Sequence, residues 1–242
     1  MITLFISDLH LCKERPEVID LFIRFLETDA RAAKALYILG DLFEYWIGDE
    51  AVAYPEYQPV IQAMHELADQ GTQLYVMHGN RDFLMGEEFA RASGCHLIQD
   101  PTIIDLYGNT TLLMHGDTLG TDDVPYLEFR KMVRSPEWQT QFLAKSVAER
   151  EQISQSYREQ SKAAMADKKP EIMDANQGAV EQQMRQHKVH HLIHGHTHRP
   201  DMHNFMLDGE PAERIVLGDW YEQGSVLRCR ARKWSLDALP VK

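Results

Sequence analysis

The chain has 242 residues, 44% hydrophobic and 26% charged, ordinary proportions for a soluble protein with enough apolar material for a core. A formal net charge of −12 argues against general binding to nucleic acid, which needs a basic face, but leaves room for a local basic pocket that takes a phosphorylated ligand. Three widely spaced cysteines, Cys12, Cys95 and Cys229, argue against a disulfide framework and for a reducing compartment.

The opening "MITLFISDLHLC" has no basic leader, and no apolar run approaches the roughly 18 residues of a membrane span. A cytosolic protein is expected, with peripheral membrane contact still open. Within that opening, residues 2–7 (ITLFIS) read as a buried strand. Pro16 then starts a helix predicted to run to about Lys34, with Ile19, Phe22, Ile23 and Leu26 at helical spacing. A strand at 35–40, a helix at about 57–70 and a strand at 72–79 follow. This alternation predicts a parallel sheet with helices on its face. Residues 102–116 read as a hairpin with Gly108 and Asn109 in its turn. Further strands are expected in VHHLIHG, RIVLGDW, GSVLRCR and KWSLDAL.

Between them, residues 122–187 are helical in composition and interrupt a β-rich chain. Over 123–169 there are nine Lys/Arg against seven Asp/Glu, a net of +2 that leaves −14 for the remainder. The expected organisation is a core of residues 1–121 and 188–242 with a cap of 122–187 inserted into it. Plain solvated helices would have the same composition. Trp138 and Phe142, and Leu143 and Val147, recur at i, i+4 and suit one helix face.

Each strand that reads as parallel ends in a polar motif. SDLH carries Asp8 and His10, GDLFE carries Asp41, HGNRDF carries Asn80, MHGDT carries His115, and GHTH carries His196 and His198. Loops beyond the carboxyl ends of parallel strands gather in one crevice. Asp8 and His10 are two apart, as are His196 and His198, and in extended backbone such pairs point to one side. Taken singly, each motif is a common cap, turn or buried histidine. As an ordered set they predict a metal site.

Carboxylate, imidazole and one amide oxygen, without thiolate, suit Mn²⁺, Fe²⁺, Co²⁺ or Zn²⁺. Seven ligands exceed one tetrahedral ion and fit two ions about 3.5–4 Å apart that share a carboxylate. Asp41 is the expected bridge, since it stands outside the two close pairs.

The order D-x-H, G-D, G-N-R-D, a later His and G-H-T-H over residues 8–198 resembles the calcineurin-like metallophosphoesterases. The resemblance implies an α/β fold: two packed mixed β-sheets flanked by helices, an αββα sandwich with an inserted helical cap. LFISDLHL, ALYILGDLFEYWIGD, HGNRDFLMG, LMHGDTLGTDD, IMDANQGAV and LIHGHTHRP are similar, more narrowly, to the branch acting on UDP-2,3-diacylglucosamine in lipid A biosynthesis. That likeness implies a hydrolase that cuts the pyrophosphate bond by metal-activated attack of water on the uridine-side phosphorus. The products would be UMP and 2,3-diacylglucosamine 1-phosphate (lipid X).

It assigns Asp8, His10, Asp41 and His198 to one ion and Asp41, Asn80, His115 and His196 to the other, two Mn²⁺ per chain. Asn80, Arg81, Asp123, Arg158, Ser161, Lys168 and His196 would contact substrate. Asp41, Asn80, Arg81 and His115 would carry the catalysis. Members of the branch often have Asn where this chain has Met165, so that contact is not carried over. The implied partners are the lipid nucleotide and the cytoplasmic face of a Gram-negative inner membrane, touched peripherally through the cap. No obligatory protein partner is expected.

Arg81 departs from the wider family, in which His often follows the Asn. Arginine cannot donate a proton near neutral pH but can clamp phosphate oxygens through paired hydrogen bonds. A departing phosphate monoester is already a stable anion and an alkoxide is not, so Arg81 favours cleavage of a pyrophosphate. The alternative for Arg81 is an ion pair with Asp82. The alternatives for the whole chain are a metallophosphoesterase for a soluble nucleotide pyrophosphate or phosphodiester and, more remotely, an inactive scaffold that would be expected to lack some ligands.

Overall fold

The computed structural model describes residues 1–166 and 174–240, with side chains described up to 161 and again from 174. Strands and helices first alternate: β1 (Thr3–Ile6), α1 (Pro16–Glu27), β2 (Ala35–Leu39), α2 (Gln58–Asp69), β3 (Gln73–Met77), α3 (Glu87–Ser93) and β4 (His96–Ile98). The hairpin β5 (Thr102–Leu106) and β6 (Asn109–Met114) follows. Next come the helices α4 (Val124–Val133), α5 (Pro136–Leu143), α6 (Val147–Ala166) and α7 (Gln177–His187). The chain then runs through β7 (His191–His194), β8 (Asp201–Leu207), β9 (Glu210–Val216), β10 (Gln223–Arg230) and β11 (Lys233–Pro240).

Among the described residues the strands form two mixed sheets. One has the order β11-β10-β1-β2-β3-β4 and the other β5-β6-β7-β9-β8. Strands β1, β2 and β3 are parallel, as their helical crossovers require. Strands β6, β7 and β9 are parallel in the second sheet.

The period-two alternation of each strand divides its side chains between layers. Leu4, Ile6, Leu36, Ile38, Leu74 and Val76 face a core shared with Phe22, Phe25 and Leu26 of α1 and Val60, Ile61 and Met64 of α2. The intervening Phe5, Leu39 and Met77 turn the other way and meet Leu113, Ile193 and Ile215 between the sheets. Leu112, Met114 and Leu192 form the outer face of the second sheet, where Val180 and Met184 of α7 cover them. The result is the expected helix–sheet–sheet–helix sandwich.

Three local expectations change. Helix α1 stops at Glu27, where the Thr28 hydroxyl and amide both bond the Arg24 carbonyl, and Ala30–Ala32 forms a single 3₁₀ turn. The hairpin turn is Tyr107-Gly108, with φ of 57° and 91°, and Asn109 already pairs with Leu106. A two-residue turn with both central residues at positive φ matches strand twist, which places Gly108 second in the turn. Leu143 ends α5 and Val147 begins α6, so this pair does not share a helix, whereas Trp138 and Phe142 stack within α5 at 4.6 Å between centroids.

Candidate metal centre

The five polar motifs follow β1, β2, β3, β6 and β7 and are stitched together across both sheets. The amides of Asp8 and His10 bond the carbonyls of Gly40 and Asp41 at 3.1 and 2.9 Å. The Gly195 amide bonds the His115 carbonyl at 2.8 Å, and the His196 amide bonds Asp8 Oδ2 at 2.8 Å. Residues up to 188 positions apart in the chain are thereby held in one crevice.

Convergence does not arise from extended backbone. Asp8, His10, Asp41, His196 and His198 have φ of 56°, 50°, 53°, 69° and 56°. Each is a non-glycine residue in the left-handed region, at a cost of order 1–3 kcal/mol apiece. Five such residues in one place mark a site whose geometry the surrounding fold imposes.

Asp41 lies between imidazoles, its Oδ2 3.7 Å from His10 Nε2 and its Oδ1 3.8 Å from His115 Nε2. His198 Nε2 is 3.4 Å from Asp8 Oδ1, and His115 Nε2 is 3.0 Å from Asn80 Oδ1. The rings of His115 and His196 are 5.1 Å apart. Asp8, His10 and His198 can bring one ligand atom each within 4.8 Å of one another, as can Asp8, Asp41 and His115. Of the histidines at 191–198, His196 and His198 face this centre. His194 is buried in β7 and bonds the Gly195 carbonyl through Nδ1, while His191 faces Glu213 and Trp234.

The residues fit divalent cations. Asp8 Oδ1 and His10 Nε2 are buried without a hydrogen-bond partner, which is costly for polar atoms unless something else satisfies them. His115 Nδ1 bonds the Leu39 carbonyl at 2.9 Å, so in the neutral ring it carries the proton and Nε2 presents its lone pair inward. That lone pair and Asn80 Oδ1 point at each other, an arrangement suited to a shared cation or proton.

The electrostatics agree. Burial opposes charge on His198, yet Asp219 and Asp8 hold its pKa up at about 10. Burial also opposes charge on His115, which Asp41, Asp117 and Asp8 raise to about 9. Asp8, despite burial, stays below the usual carboxylate range because His198, His115 and His10 surround it. His196 goes the other way, pushed down to about 4 by burial and then by His115.

Asp82 answers the question about Arg81. Its Oδ1 accepts the Gly79 amide at 2.9 Å and its Oδ2 the Leu42 and Phe43 amides at 2.7 and 3.3 Å. Asp82 therefore knits two ligand loops together, while Arg81 lines the cavities beside the centre. The loops also depend on Gly79, where a Cβ would lie 2.0 Å from Asp41 Oδ1 and 2.2 Å from its amide. Gly79→Ala is expected to displace Asp41 and lower kcat/KM for phosphoester hydrolysis at least about a hundredfold. Steady-state kinetics with metal analysis would check this, and wild-type values for both would contradict it.

Two cavities open from the centre and share Asn80, Arg81, Tyr126 and Ser161. The first, about 370 Å³, is lined mostly by polar and charged residues, Asp117, Asp123, Asp174, Thr197 and Arg199 among them. The second, about 280 Å³, lies beneath α4, α5 and α6 and presents Phe83, Phe129, Val133, Trp138 and Tyr157. Asp123 caps α4 by accepting the Tyr126 amide at 3.3 Å. Arg158 is engaged with core residues: Nη2 is 3.2 Å from Glu44 Oε1, and its guanidinium lies 5.2 Å from the Tyr45 ring centroid. Lys168 and the Met165 side chain lie outside the described residues.

Five further contributors have no role assigned from the sequence, and of these Asp117, Glu44 and Asp219 lie within quoted stretches. Buried Asp117, of MHGDT, accepts the Tyr126 hydroxyl and Arg130 Nε, both at 2.6 Å, and anchors α4 beside His115. Arg134 bonds the Gly79 carbonyl at 2.7 Å. Arg150 holds the Ile47 carbonyl at 2.7 Å and Glu50 at 2.6 and 3.0 Å, which pins α6 to the loop after β2. Glu44, of GDLFE, and Asp219 stand behind His10 and His198.

Comparison with known proteins places the chain in a family. The model of the calcineurin-like phosphoesterase family matches residues 1–200. A UDP-2,3-diacylglucosamine hydrolase of Stenotrophomonas maltophilia is 50% identical over 246 residues, covering 99% of each chain. One from Chromohalobacter salexigens is 54% identical over 220 residues, 91% of this chain and 89% of that relative. One from Aeromonas hydrophila is 49% identical over 237 residues, 98% of each. The chain belongs to the calcineurin-like phosphoesterase family, in the branch that these hydrolases form.

Proposed function

We propose that the chain hydrolyses the pyrophosphate bond of UDP-2,3-diacylglucosamine, with water attacking the uridine-side phosphorus to give UMP and 2,3-diacylglucosamine 1-phosphate. The observation that carries this reading is the pair of cavities meeting at the ligand cluster. A cavity lined mostly by polar and charged residues and one walled by aromatic rings share Asn80, Arg81, Tyr126 and Ser161. A substrate with a nucleotide at one end and acyl chains at the other needs this division, with its pyrophosphate at the junction. A soluble nucleotide would leave the aromatic chamber unfilled.

Asp8, His10, Asp41 and His198 would hold one Mn²⁺, and Asp41, Asn80, His115 and His196 the other. Bound divalent ions would make water a better nucleophile and stabilise charge on the phosphoryl oxygens. Arg81, which lines both cavities, would clamp the pyrophosphate and stay charged throughout. The sugar 1-phosphate departs as an anion and needs no strong acid, which suits a site with Arg81 at this position. Asp123 and Ser161 line the polar cavity, and Arg158 and Ser161 the apolar one, where they would contact the sugar and its phosphate.

We read α4, α5 and α6 as the working part of the cap, while α7 packs on the second sheet through Val180 and Met184. Val124, Met132 and Leu143 of these helices expose apolar surface beside Lys131 and Lys145, a combination that supports weak, reversible attachment to an anionic bilayer. Among the described residues no helix is long and apolar enough to cross a membrane.

The test is hydrolysis in ¹⁸O-labelled water by purified protein with Mn²⁺, with and without chelator. UDP-glucose and bis(p-nitrophenyl) phosphate serve as competing substrates. We expect chelator-sensitive turnover of the lipid nucleotide, with label in UMP. Label in the sugar phosphate would move the attack to the other phosphorus, and preference for UDP-glucose would sink the lipid reading.

A further inference from the structure

Three ligand imidazoles present Nε2 to the centre, and what stands behind each differs. His115 Nδ1 meets a neutral backbone carbonyl, that of Leu39. His10 Nδ1 lies 3.1 Å from the Glu44 carboxylate, and His198 Nδ1 lies 3.2 Å from the Asp219 carboxylate. Neither carboxylate hangs free. The other oxygen of Glu44 is 3.2 Å from Arg158 Nη2 of α6, and the Glu44 amide bonds the Leu11 carbonyl at 3.1 Å. The other oxygen of Asp219 accepts the Tyr221 amide at 3.1 Å. Between them Trp220, fully buried against Phe22 and Phe25, bonds the Asp8 carbonyl through its amide. Each carboxylate thus has one oxygen held by the protein and the other within 3.1 to 3.2 Å of a ligand's outward nitrogen, where a small ring rotation would complete the hydrogen bond.

We propose that Glu44 and Asp219 are positioning residues for one cation, the one held by Asp8, His10, Asp41 and His198, and that they make it the more tightly bound of the two. A carboxylate behind a ligand imidazole fixes the tautomer and ring orientation and raises the basicity of the inward nitrogen. A carbonyl behind His115 orients its ring equally well but adds no charge. Two carboxylates stand directly behind ligands of one ion position, whereas the extra carboxylate near the other, Asp117, faces Arg130 and the Tyr126 hydroxyl, and this favours filling the first position first. Arg158 extends the arrangement to α6, so seating of the cap helix and aim of a ligand share the Glu44 side chain.

This inference rests on the dinuclear reading above, and the experiment separates the two. Metal-free protein is titrated with Mn²⁺ alone, without substrate, by equilibrium dialysis and calorimetry. The wild-type chain is expected to bind two ions in two affinity classes. Glu44→Gln and Asp219→Asn, both nearly isosteric, are each expected to weaken the tighter class about 10- to 100-fold and to leave the weaker class within a few-fold. A generally disturbed fold would weaken both classes, and thermal melts of the metal-free variants provide a second check. Wild-type affinity in both variants, or a loss confined to the weaker class, would overturn the proposal. A wild-type chain that takes up no Mn²⁺ would overturn the dinuclear reading and this inference with it.

Discussion

Asp41→Asn is expected to lower kcat for UDP-2,3-diacylglucosamine at least about a thousandfold, with far-UV circular dichroism unchanged. Asp41 is 2% exposed, and its two oxygens lie 3.7 and 3.8 Å from the Nε2 atoms of two different imidazoles, those of His10 and His115. Asp8 is the rival bridge, since it also comes close to Asp41 and His115. But Asp8 Oδ2 is already occupied by the Ser7 hydroxyl at 2.6 Å and the His196 amide at 2.8 Å, leaving Oδ1 alone to bind. Asparagine at position 41 can still accept the Arg81 amide bond that Oδ1 accepts at 2.8 Å, so the loop should keep its shape. What is lost is the negative charge between two ion positions. Equilibrium dialysis should find one Mn²⁺ or fewer per variant chain. A near-normal rate with two ions bound would assign the bridge to another carboxylate.

The legible part of this site is its inventory. Asp8, His10, Asp41, Asn80, His115, His196 and His198 stand out because each follows a strand-like run, and topology brings parallel strand ends together. The route of convergence was hidden. Nothing in the letters of SDLH or GHTH shows that Asp8, His10, His196 and His198 adopt positive φ, because tertiary bonds such as Trp220 amide to Asp8 carbonyl impose it. Glu44 and Asp219 were invisible for a related reason. Glu44 acts on His10 through a fold-determined approach, and Asp219 reaches His198 from a loop after β9.

The fold shows the same division. Strands β1, β2 and β3 announce themselves by apolar runs separated by helical periodicity. Short β4 and α3 carry too few residues for a period to register. The β8–β9 hairpin was missed although Asp208-Gly209 is a strong turn signal, both residues having positive φ. Helix α7 was grouped with the cap because its composition is polar. Only Val180 and Met184 are buried there, and two residues suffice to dock a helix on the second sheet.

Affinity of the metal-free chain for Mn²⁺ is expected to climb steeply with pH, up to about a hundredfold per unit from pH 7 to 9, and to level off above about 10. A metal-bound imidazole must be neutral, so protons and cations compete for the same nitrogens. His115 and His198 are raised to about 9 and about 10 by the carboxylates around them, so both carry protons at neutral pH in the metal-free chain. Each proton displaced contributes a factor of about ten per pH unit below its pKa. His196, pushed down to about 4, is already neutral and contributes none. Calorimetry in buffers of different ionisation enthalpy should therefore count about two protons released near pH 7. The same shifts set the stability of the metal-free chain. Folded pKa values above the unfolded value of about 6.5 stabilise the fold fully below that pH, and the contribution fades as pH rises through 9 to 10. Cation binding is then strongest where protons no longer hold the carboxylates together, so the melting-temperature gain from Mn²⁺ should widen between pH 7 and 9. An affinity that does not vary with pH would mean that these two imidazoles are not ligands.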